Sequence, residues 1–186
     1  METVLSVLVG LGLSAAVGFR VFVPLLIMSA AAQTGHLTLA DGFAWIGTPP
    51  ALVAFGVATV LEIAGYFIPW VDHALDVIAA PAAVVAGTVA TAGVAIDIDP
   101  FFQWTLAIIA GGGIAGLIHV LTGATRAVSG ATTAGLGNPL VALVEAGSSI
   151  LLSILAILVP VFAFALVIAL LVTAARKVGR RIFRSS

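Results

Sequence analysis

The chain alternates between long apolar runs and short polar interruptions. A hydrocarbon core about 30 Å thick is crossed by about 20 residues of α-helix, and most of the apolar runs approach or exceed this length. The pattern therefore predicts an all-α fold, a multi-pass transmembrane helical bundle of about five spans. The runs that supply these spans cover residues 4–32, 51–70, 81–96, 101–122 and 140–172.

The first and last runs are longer than one span requires. Continuous helices over residues 4–32 and 140–172 would measure about 44 Å and about 50 Å, yet Arg20 interrupts the first run and Pro160 interrupts the last. The sequence leaves open whether each run forms one span or two, and therefore also the side of the N-terminus. In the last run we expect a short half-helix over 140–147, followed by a full span.

The segment between the last two runs is unusual for a membrane protein. Residues 123–139 combine Gly, Ala, Ser and Thr around Arg126 and end at Pro139. Backbone of this kind is tolerated at membrane depth only where protein or a watery cavity surrounds it. We therefore expect a re-entrant or unwound segment near 123–147.

Composition supports one membrane domain and narrows the available chemistry. The chain is 62% hydrophobic and 8% charged, whereas a soluble domain carries about 25% charged residues. We expect a single transmembrane domain over residues 1–175, with the N-terminal run retained as a mature segment rather than a signal peptide. The chain has no cysteine, which excludes disulfides, thiolate metal sites and cysteine nucleophiles.

Basic residues are concentrated after the last apolar run. Five of the seven basic residues lie in the last eleven positions, and the rest of the chain holds two arginines against eight acids. Basic residues beside a span mark its cytoplasmic side. The sequence thus predicts a basic cytoplasmic tail over residues 176–186, which we interpret as an orientation signal rather than a nucleic-acid-binding segment.

Two isolated arginines give the strongest functional signal. A charge within the membrane is expensive, so it is paired or faces water, and both Arg20 and Arg126 lie beside glycines in interrupted segments. One interpretation is that they neutralise Glu62 and Glu145 and lock the helices together. The other is that they bind an anion or an anionic lipid headgroup, because guanidinium groups match phosphate oxygens.

Other polar residues add little chemistry. His119 and Asn138 complete the candidate ligand-binding set with Arg20, Arg126, Glu62 and Glu145. An alternative is that Glu62 and Glu145 carry protons and His119 joins their relay, whereas a histidine on a glycine-rich span is otherwise a packed core residue. Asp72, His73 and Asp76 are expected on a solvated helix face rather than at a metal ion, which would need a third ligand from elsewhere. We see no catalytic arrangement, and we expect neither enzyme activity nor a cofactor or metal.

Small and aromatic residues predict packing and membrane-interface contacts. Gly112 and Gly116 have the GxxxG spacing that allows two helices to approach closely. They predict packing within one chain, or contact with a second copy or another membrane protein, besides contact with membrane lipids. Tyr66 and Trp70, at the end of the second run, suit an aromatic belt at the membrane interface.

Several strings, taken in order along nearly the whole chain, resemble a known family. These strings are 18–26, 45–49, Glu62 with 69–72, 76–81, 111–113 with His119 and Arg126, and 132–139 with Glu145. The resemblance is to a bacterial family of small integral membrane proteins catalogued as domain of unknown function 4126, and it implies a membrane location and a helical fold without a reaction or substrate. Together with the basic tail, it predicts a location in the bacterial inner membrane.

The functional expectation comes from the two arginines in interrupted segments. We expect a transporter- or channel-like protein with an intramembrane site for an anion or an anionic lipid headgroup between these segments. The alternative is a non-enzymatic structural or assembly subunit that packs against other membrane proteins.

Overall fold

The computed structural model describes the backbone of residues 1–66 and 68–182, without the side chains of 69–74, 76 and 178–182. Across this described part of the chain the secondary structure is helical, with no strand. The all-α class is therefore confirmed. Seven α-helices are present within it: α1 Glu2–Phe19, α2 Phe22–Gln33, α3 Pro49–Gly65, α4 Pro69–Val94, α5 Pro100–Thr133, α6 Asn138–Leu158 and α7 Pro160–Ile182.

The starts of the helices follow local sequence signals. Thr48 accepts the N–H of Ala51 (3.4 Å) at the start of α3, and Asp99 accepts the N–H of Phe101 (2.9 Å) at the start of α5. Proline occupies the first turn of five helices, α3 to α7, where its missing N–H costs nothing. A short 3-10 helix, Ala44–Gly47, precedes α3.

Five helices are long and apolar enough to cross a membrane, which confirms the predicted number. They are α1, the part of α4 from Val77, α5, α6 and α7 as far as Lys177. The distribution differs from the prediction, because the run over 51–70 forms the shorter helix α3, with 17 residues. The last run supplies two spans instead of one, since Pro160 starts α7 immediately after α6 ends. The predicted half-helix over 140–147 is therefore wrong.

The predicted unwound segment is much shorter than expected. Helix α5 continues to Thr133 and α6 begins at Asn138, so the non-helical part of residues 123–147 is confined to 134–137. Ala134 (φ +51°) and Gly135 (φ +86°) make this turn in the left-handed region, a conformation that glycine adopts at little cost.

The first long run reverses direction at Arg20 and Val21. A Cβ atom added at Gly10 of α1 would lie 3.0 Å from the Cα of Thr91 on α4. Beyond α2, the N–H of Ala40 donates to the carbonyl of Gly93 (2.8 Å), again near the end of α4. Helices α1 and α2 therefore form a hairpin, with its turn deep in the bundle.

Helix α1 lies at the centre of the bundle and packs against α4, α5, α6 and α7. Its glycines allow this close approach: a Cβ atom at Gly12 would lie 2.7 Å from the Cβ of Ala156, and one at Gly18 would lie 2.6 Å from the Cβ of Ile118. The hydroxyl of Ser149 on α6 also donates to the carbonyl of Ala16 on α1 (2.9 Å). The core is consequently built from small side chains rather than large ones.

Gly112 and Gly116 both face α4 of the same chain. A Cβ atom at Gly112 would lie 2.8 Å from the hydroxyl oxygen of Thr88, and one at Gly116 would lie 3.0 Å from a methyl carbon of Val84. Here α5 is π-helical over Ala107–Gly112. Packing within one chain is thus shown for these glycines, while a partner in a second copy stays a prediction.

Candidate functional site

Arg20 lies in the break between α1 and α2. Its backbone is extended (φ −147°, ψ +127°), and its side chain is 1% exposed. The guanidinium group extends towards α6, where Nη2 donates to the carbonyl of Ala142 (3.1 Å) and pairs with Oε2 of Glu145 (3.1 Å). The helix break thus places a buried cation against the first turns of another helix.

Arg126 reaches the same carboxylate from α5. Its Nη1 donates to Oε2 of Glu145 at 2.9 Å, with both side chains at most 5% exposed. The Cζ atoms of Arg20 and Arg126 also lie 3.9 and 4.7 Å from the ring centroid of Tyr66. Cations at this distance from an aromatic ring are attracted to its face. Four side chains, those of Arg20, Tyr66, Arg126 and Glu145, therefore form one cluster, which we call the arginine cluster.

Glu62 lies next to the arginine cluster, but its carboxylate accepts hydrogen bonds from backbone N–H groups. Its Oε1 accepts the N–H of Val21 (2.7 Å) and its Oε2 accepts the N–H of Phe22 (3.1 Å). Both N–H groups belong to the start of α2, which otherwise has no side-chain cap. Among the described residues both arginines form their ion pairs with Glu145 and not with Glu62. The predicted neutralisation of acids by arginines is therefore found for Glu145 but not as an ion pair for Glu62.

The arginine cluster lies well inside the bundle. Glu145 follows the start of α6 by seven residues, which places it about 10 Å along a helix that rises about 1.5 Å per residue. Helix α6 has 21 residues, so the cluster is nearer to the end where α6 begins than to its far end. That end also carries the end of α5, because the two helices are joined by the short turn at 134–137.

His119 and Asn138 are placed on the same two helices as the cluster. His119 is buried two helical turns before Arg126 on α5, and Asn138 begins α6 two turns before Glu145. Both side chains have interactions with other residues. Their membership of a ligand site stays a prediction, as it does for the other four candidates.

Tyr66 is the residue that sequence reasoning placed wrongly. A tyrosine at the end of an apolar run is typical of the membrane interface. Tyr66 is instead 4% exposed, and its ring lies against the guanidinium groups of Arg20 and Arg126. The signal in the sequence was indirect: buried guanidinium groups need partners, and the face of an aromatic ring can be such a partner. The side chain of Trp70, predicted in the same belt, lies outside the described residues.

The guanidinium group of Arg20 is incompletely satisfied. Its Nε and Nη1 atoms are buried and have no hydrogen-bond partner among the described residues, whereas Nη2 donates to the carbonyl of Ala142 and forms the ion pair with Glu145. An unsatisfied buried donor costs about 1–3 kcal/mol, and more when the group is charged. The arginine cluster therefore holds donors that a ligand with acceptor oxygens would satisfy.

Metal binding finds no support in the described part of the chain. No group of three His, Cys, Asp or Glu side chains is found there at metal-binding distances. The side chains of Asp72, His73 and Asp76 lie outside the description, so the expectation of a solvated face there stays a prediction.

Taken together, the fold and the arginine cluster define a multi-pass α-helical membrane protein with buried charges at a break between helices. Comparison with known families is consistent with this class. The chain belongs to the family described as domain of unknown function (DUF4126), whose profile matches residues 7–180. No curated protein and no solved structure matches the chain, and the family description states no function.

Proposed function

We propose that this protein is transporter- or channel-like and binds an oxyanion at the arginine cluster, either inorganic phosphate or the phosphate group of a lipid. The observation that carries the proposal is the pair of unpartnered donors on Arg20, Nε and Nη1, on a side chain that is 1% exposed. Guanidinium groups bind phosphate oxygens through two parallel N–H bonds. A bound oxyanion would therefore remove the cost of these unsatisfied donors.

The position of the arginine cluster supports a site of this type. It lies where α1 and α2 meet, at the hairpin turn, beside the start of α6. Transporters commonly place their ligands near the middle of the membrane at broken helices, where helix ends offer unused backbone groups. Glu62, His119 and Asn138 lie on helices around this point and would adjust the affinity.

Binding is tested first with inorganic phosphate and purified protein in detergent. We expect phosphate to raise the melting temperature of the wild type, but not that of Arg20→Gln. Arg20→Lys should also lose most of the effect, because an ammonium group lacks the planar pair of donors. The matched control is Arg176→Gln, which removes an exposed arginine from α7. A phosphate effect that is equal in wild type and Arg20→Gln would contradict the site.

The source of the phosphate is decided by reconstitution. Flux of radiolabelled phosphate into proteoliposomes of phosphatidylcholine, lost in Arg20→Gln, is the result expected for a free anion. If the ligand is a lipid, nanodiscs containing phosphatidylglycerol should stabilise the wild type more than the Arg20→Gln variant, without phosphate flux. Stabilisation by neither phosphate nor phosphatidylglycerol would refute anion binding altogether.

A non-enzymatic structural or assembly subunit is the second candidate. The shared Glu145 oxygen, with Arg20 at 3.1 Å and Arg126 at 2.9 Å, links the α1–α2 break to α5 and α6 and favours a stabilising role. Gly112 and Gly116 are already packed on α4 in this chain, and an additional contact of this face with a second copy or another membrane protein belongs to this candidate. Loss of stability in cluster variants, with no stabilisation of the wild type by phosphate or phosphatidylglycerol, would favour this candidate.

We further propose an inner-membrane location with a cytoplasmic C-terminus. The support is the basic residues after the last span, of which Arg176 and Lys177 are exposed in the described part of α7. A reporter that works only in the cytoplasm should be active when it is fused to the C-terminus. Activity of a reporter that works only in the periplasm would contradict this orientation.

A further inference from the structure

Three consecutive residues at the hairpin turn present hydrogen-bond donors. Arg20 offers the unpartnered Nε and Nη1, and the next two residues, Val21 and Phe22, offer the backbone N–H groups that Glu62 accepts. A helix N-terminus attracts anions because its N–H groups point outward and its dipole is positive there. The carboxylate of Glu62 already occupies part of this donor set.

The way Glu62 caps α2 differs from the other caps of the chain. Thr48 and Asp99 cap α3 and α5 from the residues next to the helix, within three positions of the N–H they accept. Glu62 comes from α3, about forty positions along the chain from the N–H groups it accepts. A carboxylate on a separate helix is able to leave without unfolding the helix that it caps.

We propose that Glu62 is a tethered competitor for the oxyanion, holding the N–H groups of Val21 and Phe22 until an incoming anion displaces it. This inference rests on the proposed anion site. In the displaced state the oxyanion accepts these two N–H groups together with Nε or Nη1 of Arg20. The resting structure thus keeps the helix terminus satisfied, and Glu62 lowers the apparent affinity for the external anion.

Helix α3 has features that suit a movable carrier of this carboxylate. It packs against α2, α4 and the 3-10 helix, and much of its surface is exposed. Thr59 lies one turn before Glu62 on the same face, and its buried hydroxyl has no hydrogen-bond partner in the part of the chain that the structure describes. Because helical side chains lean towards the N-terminus of their helix, a displaced Glu62 carboxylate is able to accept a hydrogen bond from Thr59.

The test is the affinity for inorganic phosphate of the full-length protein in detergent. Glu62→Gln removes the competing charge and keeps the side-chain size, so we expect the dissociation constant to fall about tenfold, in line with the energy of an anion at a partly buried helix terminus. The matched control is Asp99→Asn, which removes the charge of another helix-capping carboxylate but keeps its acceptor oxygen, and which should leave the dissociation constant unchanged.

The possible outcomes separate this inference from the proposed function. If phosphate binding depends on Arg20 but Glu62→Gln binds no more tightly than wild type, the competitor is refuted and the anion site stands. If neither protein binds phosphate, both proposals fall. Should Glu62→Gln not fold, Glu62→Asp keeps the charge but shortens its reach by one methylene, and an affinity no higher than that of wild type would overturn the inference.

Discussion

The α4–α5 contact and the α1–α2 turn accommodate polar groups inside the bundle in opposite ways. Where α4 meets α5, glycines bring the backbones together, and the hydroxyl of Ser14 donates to the carbonyl of Gly111. At the α1–α2 turn the helix is broken, and buried arginines lie among groups from three other parts of the chain. In the first region an added Cβ atom at Gly111 or Gly112 would overlap its neighbours on α4, whereas the second contains donors on Arg20 that have no partner among the described residues.

This difference predicts which region responds to ligands and which responds only to packing changes. A glycine contact is sensitive to added volume because a new Cβ atom overlaps its neighbour. A charge cluster is sensitive to loss of one partner because the remaining charge stays buried. The following substitutions separate these two responses, in order of decreasing expected effect.

Glu145→Gln should have the largest effect, because it leaves both guanidinium groups without the shared carboxylate oxygen. Breaking a buried ion pair in this way costs about 3–5 kcal/mol. The measurement is unfolding of the detergent-solubilised protein in a denaturing detergent. The double variant Glu145→Gln with Arg126→Gln should recover part of the loss, and a double variant as unstable as the sum of the single variants would argue against coupling.

Gly112→Leu combined with Gly116→Leu should destabilise the packed region by separating α5 from α4. Overpacking costs about 1–3 kcal/mol per site. The matched control is Gly113→Leu with Gly123→Leu, since a Cβ atom at either glycine meets nothing within 4 Å. Melting temperature and oligomer size are measured together: equal stability of the two double variants would contradict the packing account, and a change in oligomer size would indicate a partner at this face.

Tyr66→Leu removes the aromatic face from the arginine cluster while keeping an apolar side chain. A desolvated cation–π contact is worth about 2 kcal/mol or more, so the expected loss of stability is about 2 kcal/mol. Tyr66→Phe keeps the ring and should retain the cation–π part of this energy. If both variants lose the same amount, the hydroxyl group rather than the ring face explains the effect.

Ser149→Ala should have the smallest effect of the four. It removes the hydrogen bond to the carbonyl of Ala16, and such bonds between membrane helices average about 0.6 kcal/mol. A loss above about 2 kcal/mol would show that the α1–α6 contact depends on polar groups more than on close packing of Gly12 and Ala156.

The buried charges were predictable because few residues were able to satisfy them. Two arginines in apolar runs require acids or ligands, and the structure brings Arg20 and Arg126 to Glu145. The role of Glu62 was not predictable, since a contact with backbone N–H groups about forty residues away leaves no local pattern. That contact lies at the reversal of the chain after Arg20.

The helical state of residues 123–133 was missed because small polar residues resemble a loop. In the structure the hydroxyl of Thr132 donates to the carbonyl of Val128 (2.8 Å), and that of Thr133 to the carbonyl of Ser129 (2.7 Å). Bonds of this kind satisfy hydroxyl groups within a helix. The sequence therefore identified an unusual segment without distinguishing an unwound backbone from a polar helix.

The most direct test of the central claim, that Arg20 binds an oxyanion, is a phosphate titration followed on the arginine Nε–H groups by NMR. The protein has six arginines, and the signal of Arg20 is assigned from the spectrum of Arg20→Lys, which lacks it. The account predicts that the Arg20 signal shifts and saturates with phosphate, while that of exposed Arg176 moves little. An Arg20 signal that does not move, or that shifts in parallel with Arg176 without saturating, would contradict it.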